Sequence, residues 1–211
     1  PADTNWTFVR IETDEGIHGW GEASLQYKDD ALVAELEAFG RFLEGEDPRR
    51  IDHIWTSLHR RVTWSGGAVT MSAISAIDLA LWDVKARALG VPVYELLGGR
   101  CHETIPLYAN GWQGDAETPE EYADRARDVV DRGYSCLKFY PFAGEQVVTP
   151  ERIDRGVALV SAVRDAVGPQ VEVAVDVRTR LNVWSARRVA RRLEPFDVAW
   201  LEEPVLNDNP E

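Results

Sequence analysis

Cysteine is almost missing from this chain: Cys101 and Cys136 stand far apart in sequence and form no CxxC. That spacing argues against a disulfide framework and against a zinc knuckle, so both read as free thiols. Long apolar runs are missing too. No stretch of about 18 or more apolar residues offers a membrane span. The opening segment, PADTNWTFVR, has no basic region leading into an apolar one, so no secretory signal is visible. A cytoplasmic location is the default expectation. Positive charge is also scarce. Basic residues number 23 against 36 acidic ones, a net charge of −13, and the lysines are confined to Lys28, Lys85 and Lys138. Nucleic acid and anionic membrane surfaces both need a positive face, so neither is expected as a partner. A small molecule is.

What remains is the composition of a soluble globular protein: 45% hydrophobic and 28% charged, enough to bury a sizeable core. A length of 211 residues suits one large domain or two smaller ones. The segment NWTFVRIETDEGIHGWGEAS reads as two short strands around a TDEG turn at 13–16. Val9 and Ile11 share one face, Phe8 and Arg10 the other, and Gly16 supplies the unusual dihedral of the turn. Helical spacing then places Leu32, Leu36, Phe39 and Leu43 on one face of a helix over 29–44. A second helix is predicted over 50–61 and a third over 72–89, the last stopped by Gly90 ahead of Pro92. A hairpin followed by helices describes an α+β domain over residues 1–100.

From residue 104 the pattern changes to strand, helix, strand, helix. Strands are predicted at 104–110, 135–141, 171–177 and 198–204, recurring at intervals of about 27–36 residues, as in βα units of a parallel sheet or barrel. Thr118-Pro119 and Thr149-Pro150 each offer a capping hydroxyl followed by a proline in the first turn of a helix. A further helix is predicted over 185–193. The strand Val198–Leu201 is expected to be buried on both faces, so the two carboxylates that follow it, Glu202 and Glu203, should sit at the strand exit.

Each strand in the series ends in polar residues: Asn110, then Lys138 and Tyr140, then Asp176, then Glu202 and Glu203. In a (β/α) barrel the carboxyl ends of the strands gather residues from several strands into one site. A metal site is the simplest explanation, because two carboxylates from neighbouring strands can hold a hard cation such as Mg²⁺. Taken singly, a strand-end Asp is more often a loop hydrogen-bonder, and a strand-end Lys can merely reach solvent.

The segments MSAISAIDLALWDVKARALGVPVYELLGG (71–99), Lys138 in LKFYPF, Asp176 in VAVDV, and WLEEP (200–204) together resemble the mandelate racemase/muconate lactonizing enzyme branch of the enolase superfamily, its sugar-acid dehydratase-like group in particular. The resemblance implies an α+β capping domain followed by the first half of a modified (β/α) TIM-type barrel, occupying 101–211. It implies Mg²⁺ held by Asp176 and Glu202, with Glu203 in support. It also implies removal of a proton α to a carboxylate and loss of the β-hydroxyl, converting a sugar acid to a 2-keto-3-deoxy acid. Lys138, Tyr140 and Arg178 are the candidate catalytic residues. Trp64, in a segment (62–69) resembling a loop that closes over substrate, and Asn110 are candidate substrate contacts.

The chain departs from the family pattern in places. Relatives often carry Lys-x-Lys where this chain has Lys138-Phe139-Tyr140, and a tyrosine with a reference pKa near 10 is a poor base. Others place His two residues after the first ligand, where this chain has Arg178, which cannot readily give up a proton. Arg178 can pair with a substrate carboxylate or form a surface salt bridge. The family's third ligand and later strands would lie beyond residue 211, so the chain alone is expected to be weakly active or inactive. An open half barrel is also expected to associate as a homo-oligomer. The alternatives are a racemase or epimerase of the same superfamily, or a non-catalytic truncated or assembly protein.

Overall fold

The alternation in FVRIE and HGWGE is the pattern of two half-buried strands, and these segments pair in the computed structural model, which describes residues 5–61, 63–142 and 148–206. Strands β1 (Phe8–Glu12) and β2 (His18–Glu22) run antiparallel, with Phe8 opposite Glu22 and Glu12 opposite His18. The predicted turn joins them. Gly16 adopts φ 77°, and its N–H donates to the Thr13 carbonyl at 3.0 Å. Val9 and Ile11 pack on the core while Phe8 faces outward, as the alternation requires.

The chain divides into two compact units, Pro1–Glu103 and Thr104–Glu211. In the first, the hairpin is followed by α1 (Asp29–Leu43), α2 (Ile51–Arg60), α3 (Ala68–Leu89) and the short α4 (Val93–Leu96). Helix α3 starts four residues earlier than 72, directly after Gly66 and Gly67, whose φ values of 94° and 83° turn the chain. It stops at Gly90 in the left-handed region, φ 70°, as predicted. The glycines of β2 explain why α3 can lie against it. A Cβ at Gly19 would stand 2.2 Å from the Ala80 carbonyl oxygen, and one at Gly21 would stand 1.9 Å from that of Ala76. Backbone cannot give way as a side chain can. Ala73, Ile74, Ala76 and Ala80 are fully buried in this unit's core.

The second unit holds a parallel sheet in the order β3 (Ala109–Asn110), β4 (Cys136–Phe139), β5 (Glu172–Asp176) and β6 (Trp200–Glu202). Helices α5 (Pro119–Asp131), α6 (Pro150–Val167) and α7 (Val183–Leu193) connect the strands. Both Thr-Pro starts are as predicted. Thr118 accepts from the Glu121 N–H and Glu121 reaches back to the Thr118 N–H at 3.0 Å, a complete capping box, while Thr149 caps α6.

Two strand expectations need correction. Residues 104–108 stand outside the ladder, leaving Ile105 and Leu107 exposed, so β3 is two residues long. Of the run 198–204, only Trp200–Glu202 forms β6, and it is not buried on both faces: Trp200 is 37% exposed. The reason is position. Among the described residues β3 and β6 each have one neighbouring strand, so neither has a partner on its other side.

The two faces of this sheet differ. Leu137 and Phe139 on β4, Val173 and Val175 on β5, and Leu201 on β6 point toward the helices, where they meet Val129, Val160, Val163 and Val189. Fully burying each such side chain is worth roughly 1.5–3 kcal/mol. The alternate positions fall on the opposite face. Registers place Asn110 beside Lys138, Lys138 beside Ala174, Ala174 beside Trp200, and Asp176 beside Glu202. A flat sheet of four strands would hold its edges roughly 14 Å apart. Yet the Tyr108 ring, preceding β3, meets the Trp200 ring of β6 with centroids 5.6 Å apart. The sheet is therefore concave on this face. Among the described residues no helix is long and apolar enough to cross a membrane.

Candidate active site at the carboxyl end of the parallel sheet

Because side chains alternate along a strand, the last inward position of each strand delivers its polar group to the same rim. Lys138 and Asp176, each 5% exposed, are the charged side chains buried among the described residues. A buried charge costs several kcal/mol unless it is paired and hydrogen-bonded. Here it is paired. The Lys138 ammonium donates to Glu202 Oε1 at 2.6 Å and to Asp176 Oδ2 at 3.3 Å. The remaining oxygens are satisfied locally: Asp176 Oδ1 accepts from the Arg178 N–H at 2.9 Å, and Glu202 Oε2 accepts from the Trp200 indole N–H at 3.0 Å. Each carboxylate is thus held by Lys138 on one oxygen and by a residue two positions away on the other.

The electrostatics follow from this geometry. Burial works to lower the Lys138 pKa, but the hydrogen bonds and charges of Glu202 and Asp176 outweigh it and hold the ammonium above its ordinary value. Burial works to raise the Glu202 carboxyl, and the bond from Lys138, then that from Trp200, reverse this and hold it low. Lys138 is therefore an ammonium that holds negative charge, which suits it poorly to act as a base.

Tyr140, two residues beyond Lys138, lies close by. Its ring centroid is 5.9 Å from the Lys138 nitrogen and 4.0 Å from the Arg178 guanidinium carbon. Arg178 and Thr179 adopt φ of 52° and 57°, and Glu203 adopts 42°, uncommon values for residues with a side chain. Backbone bonds pin the turn: the Val177 N–H donates to the Glu202 carbonyl at 3.0 Å and the Thr179 N–H to that of Glu203 at 2.7 Å. The Glu203 carbonyl thus helps pin this turn, while the residue itself is exposed.

The structure thus brings together Lys138, Tyr140, Asp176, Arg178 and Glu202, with Asn110 exposed at the register position beside Lys138. Trp64 belongs to the first unit and is 90% exposed; Val62, which begins its segment, lies outside the described residues. Sequence reasoning missed Trp200 and Tyr108. Trp200 carried a usable signal, since a residue two before Glu202 on a strand shares its face. Tyr108 carried none, because its contacts with Trp200 and with Lys138, 5.5 Å from its ring centroid, depend on the curvature of the sheet.

Among the described residues no three His, Cys, Asp or Glu side chains form a metal-binding group. The donors present are two carboxylates on adjacent strands. That set fits Mg²⁺, a hard cation that commonly takes one or two protein carboxylates and fills its octahedron with water or substrate oxygens. Asp176 and Glu202 would hold it.

Known proteins share both units. Residues 2–98 match the mandelate racemase/muconate lactonizing enzyme N-terminal domain, and residues 121–211 match the enolase C-terminal domain-like family. A D-galactonate dehydratase of Variovorax paradoxus (strain S110) is 39% identical over 98% of this chain and 53% of its own length. A D-gluconate dehydratase of Thermoproteus tenax is 37% identical over 99% of this chain and 43% of its own. The chain spans about half the length of the curated relatives it matches. The crystal structure of a member of the enolase superfamily from Salmonella Typhimurium superposes with a TM-score of 0.93, at 33% identity, over 99% of this chain and 60% of that one. Both of its units place this chain in the mandelate racemase/muconate lactonizing enzyme branch of the enolase superfamily.

Proposed function

We propose that the chain forms the α+β capping domain (1–100) and the first four strands (101–211) of a modified (β/α)-barrel enzyme, a Mg²⁺-dependent sugar-acid dehydratase. The observation that carries the reading is the in-register pair Asp176 and Glu202, held around one positive charge at the carboxyl end of a concave parallel sheet. The substrates of the similar dehydratases, D-galactonate and D-gluconate, are the candidate class.

Asp176 and Glu202 would hold Mg²⁺, which would supply positive charge against the negative charge that develops on the substrate carboxylate as the α proton leaves. The α proton passes to a base that none of the residues named here supplies, and the chain's own residues serve the other parts of the reaction. Lys138, as an ammonium, offers a second fixed positive charge to the same carboxylate. Tyr140 donates its phenolic proton to the departing β-hydroxyl, which leaves as water. Asn110 contacts substrate from the neighbouring strand. The products are a 2-keto-3-deoxy acid and water. The working form is a cytoplasmic homo-oligomer.

Calorimetric titration with Mg²⁺ tests the metal assignment, and keto-acid formation from D-galactonate and D-gluconate tests the reaction. Binding that is lost in Asp176→Asn and Glu202→Gln supports the reading. Equal Mg²⁺ affinity in wild type and both variants removes the metal assignment. Keto acid from either sugar acid supports the reaction, and Mg²⁺ binding without binding of either sugar acid removes the dehydratase reading for this chain.

A further inference from the structure

Two arginines of the second unit show what a structural role and its absence look like. Arg164 spends its guanidinium on four backbone carbonyls: Phe196 at 2.8 Å, Gly168 at 2.8 Å, Val171 at 2.6 Å and Asp197 at 2.9 Å. It staples the end of α6 to the strands beside it. Arg178 does nothing of the kind. Among the described residues its guanidinium meets no carboxylate, and its neighbour is the face of the Tyr140 ring at 4.0 Å.

The surroundings fix Arg178 in place. Its backbone N–H is held by Asp176 Oδ1 at 2.9 Å, and the next residues are tied by the Thr179 N–H to Glu203 at 2.7 Å and the Arg180 N–H to Val177 at 3.3 Å. These bonds hold Arg178 and Thr179 at φ 52° and 57°, strained conformations that persist when surrounding structure enforces them. A ring under a guanidinium sets its plane and leaves its N–H rim outward, the arrangement that meets a carboxylate in bidentate fashion. Charge balance points the same way. Lys138 is committed to Asp176 and Glu202, so the single positive charge of Arg178 cancels what remains of the cluster. A divalent cation entering the cluster leaves a net positive charge that an anion completes.

We propose that Arg178 is a substrate-binding residue that grips the carboxylate of the sugar acid, rather than a proton carrier or a surface ion-pair partner. This rests on the dehydratase reading above. The test is calorimetric binding of D-gluconate and D-galactonate to the full chain at saturating Mg²⁺, comparing wild type with Arg178→Gln and Arg178→Lys. Arg178→Gln is expected to weaken acid binding by about tenfold or more, the scale of a lost charge-assisted hydrogen bond. Arg178→Lys recovers part of the loss, since it restores charge without the planar fork. Mg²⁺ affinity stays within about twofold of wild type, and the salt dependence of acid binding flattens in Arg178→Gln. Acid binding in Arg178→Gln within about twofold of wild type, with unchanged salt dependence, overturns the assignment alone. Parallel weakening of Mg²⁺ and acid binding overturns it in favour of a structural role. A wild type that binds Mg²⁺ but neither acid overturns the dehydratase reading and this assignment with it.

Discussion

The two units reach stability by opposite routes. In the first, a helix lies so close to a strand that two glycines are required at the contact, and no charged side chain is buried among the described residues. In the second, one sheet face is filled with Leu, Val and Phe against helices, while the other carries Lys138 and Asp176 out of water. The first unit is fitted by shape, the second by shape on one side and by charge on the other. Buried charge that could be replaced by apolar packing at little cost to stability points to use rather than support.

The sharpest way to break this contrast is Lys138→Met. Removing one partner leaves Asp176 buried and Glu202 beside it, and breaking a buried pair costs about 3–5 kcal/mol. Glu202, with a side chain 32% exposed, places the loss toward the low end of that range. Urea denaturation reads it directly, and saturating Mg²⁺ should restore much of the loss by taking the place of the ammonium. An unchanged midpoint would show that the charges are dispensable.

On the other side of the comparison, Gly21→Ala adds a single methyl group 1.9 Å from the Ala76 carbonyl oxygen. Overpacking of this kind costs about 1–3 kcal/mol, and here it should lower the stability of the first unit without altering Mg²⁺ binding. Hydrogen exchange localises the effect: faster exchange in α3 with β4–β6 unchanged is the expected result, and full protection of α3 would contradict the close packing.

The smallest effect is one of sign against pH. Burial, then the nearby charge of Asp52, pushes the Asp78 carboxyl up, so its ionisation opposes folding and the penalty is relieved as pH falls through its folded pKa. Glu202, flanked by Lys138 and Asp176, is held low; its contribution is present above the ordinary carboxylate range and is lost as pH falls through its folded pKa. At pH 7 Asp78→Asn should therefore raise the urea midpoint and Glu202→Gln lower it. Both differences should shrink on acidification to about pH 3. Shifts of the same sign at pH 7 would refute the contrast.

Features set by neighbouring residues were readable from the chain alone. A Thr hydroxyl and a following Pro act within one helical turn, so both helix starts at 118 and 149 could be placed. The hairpin was equally local. The extent of β3 was not, since ladder length depends on a partner strand roughly thirty residues away and on the lack of a second one. The site divided along the same line. Strand ends marked Lys138, Asp176 and Glu202 as candidates one at a time, but that one ammonium would join both carboxylates depends on the register of three strands. The stack of Arg178 on Tyr140 needed in addition a left-handed turn that no residue type at 178–179 announces.

The bridge made by Lys138 bears on how a cation would enter. Lys138 stands between Asp176 and Glu202, so the two carboxylates are not left as a self-repelling pair. Loading would then be an exchange rather than a filling. A monovalent ion displacing the lysine would gain no charge by the trade, whereas a divalent ion would gain one, so discrimination between them would begin with the occupant already in the seat.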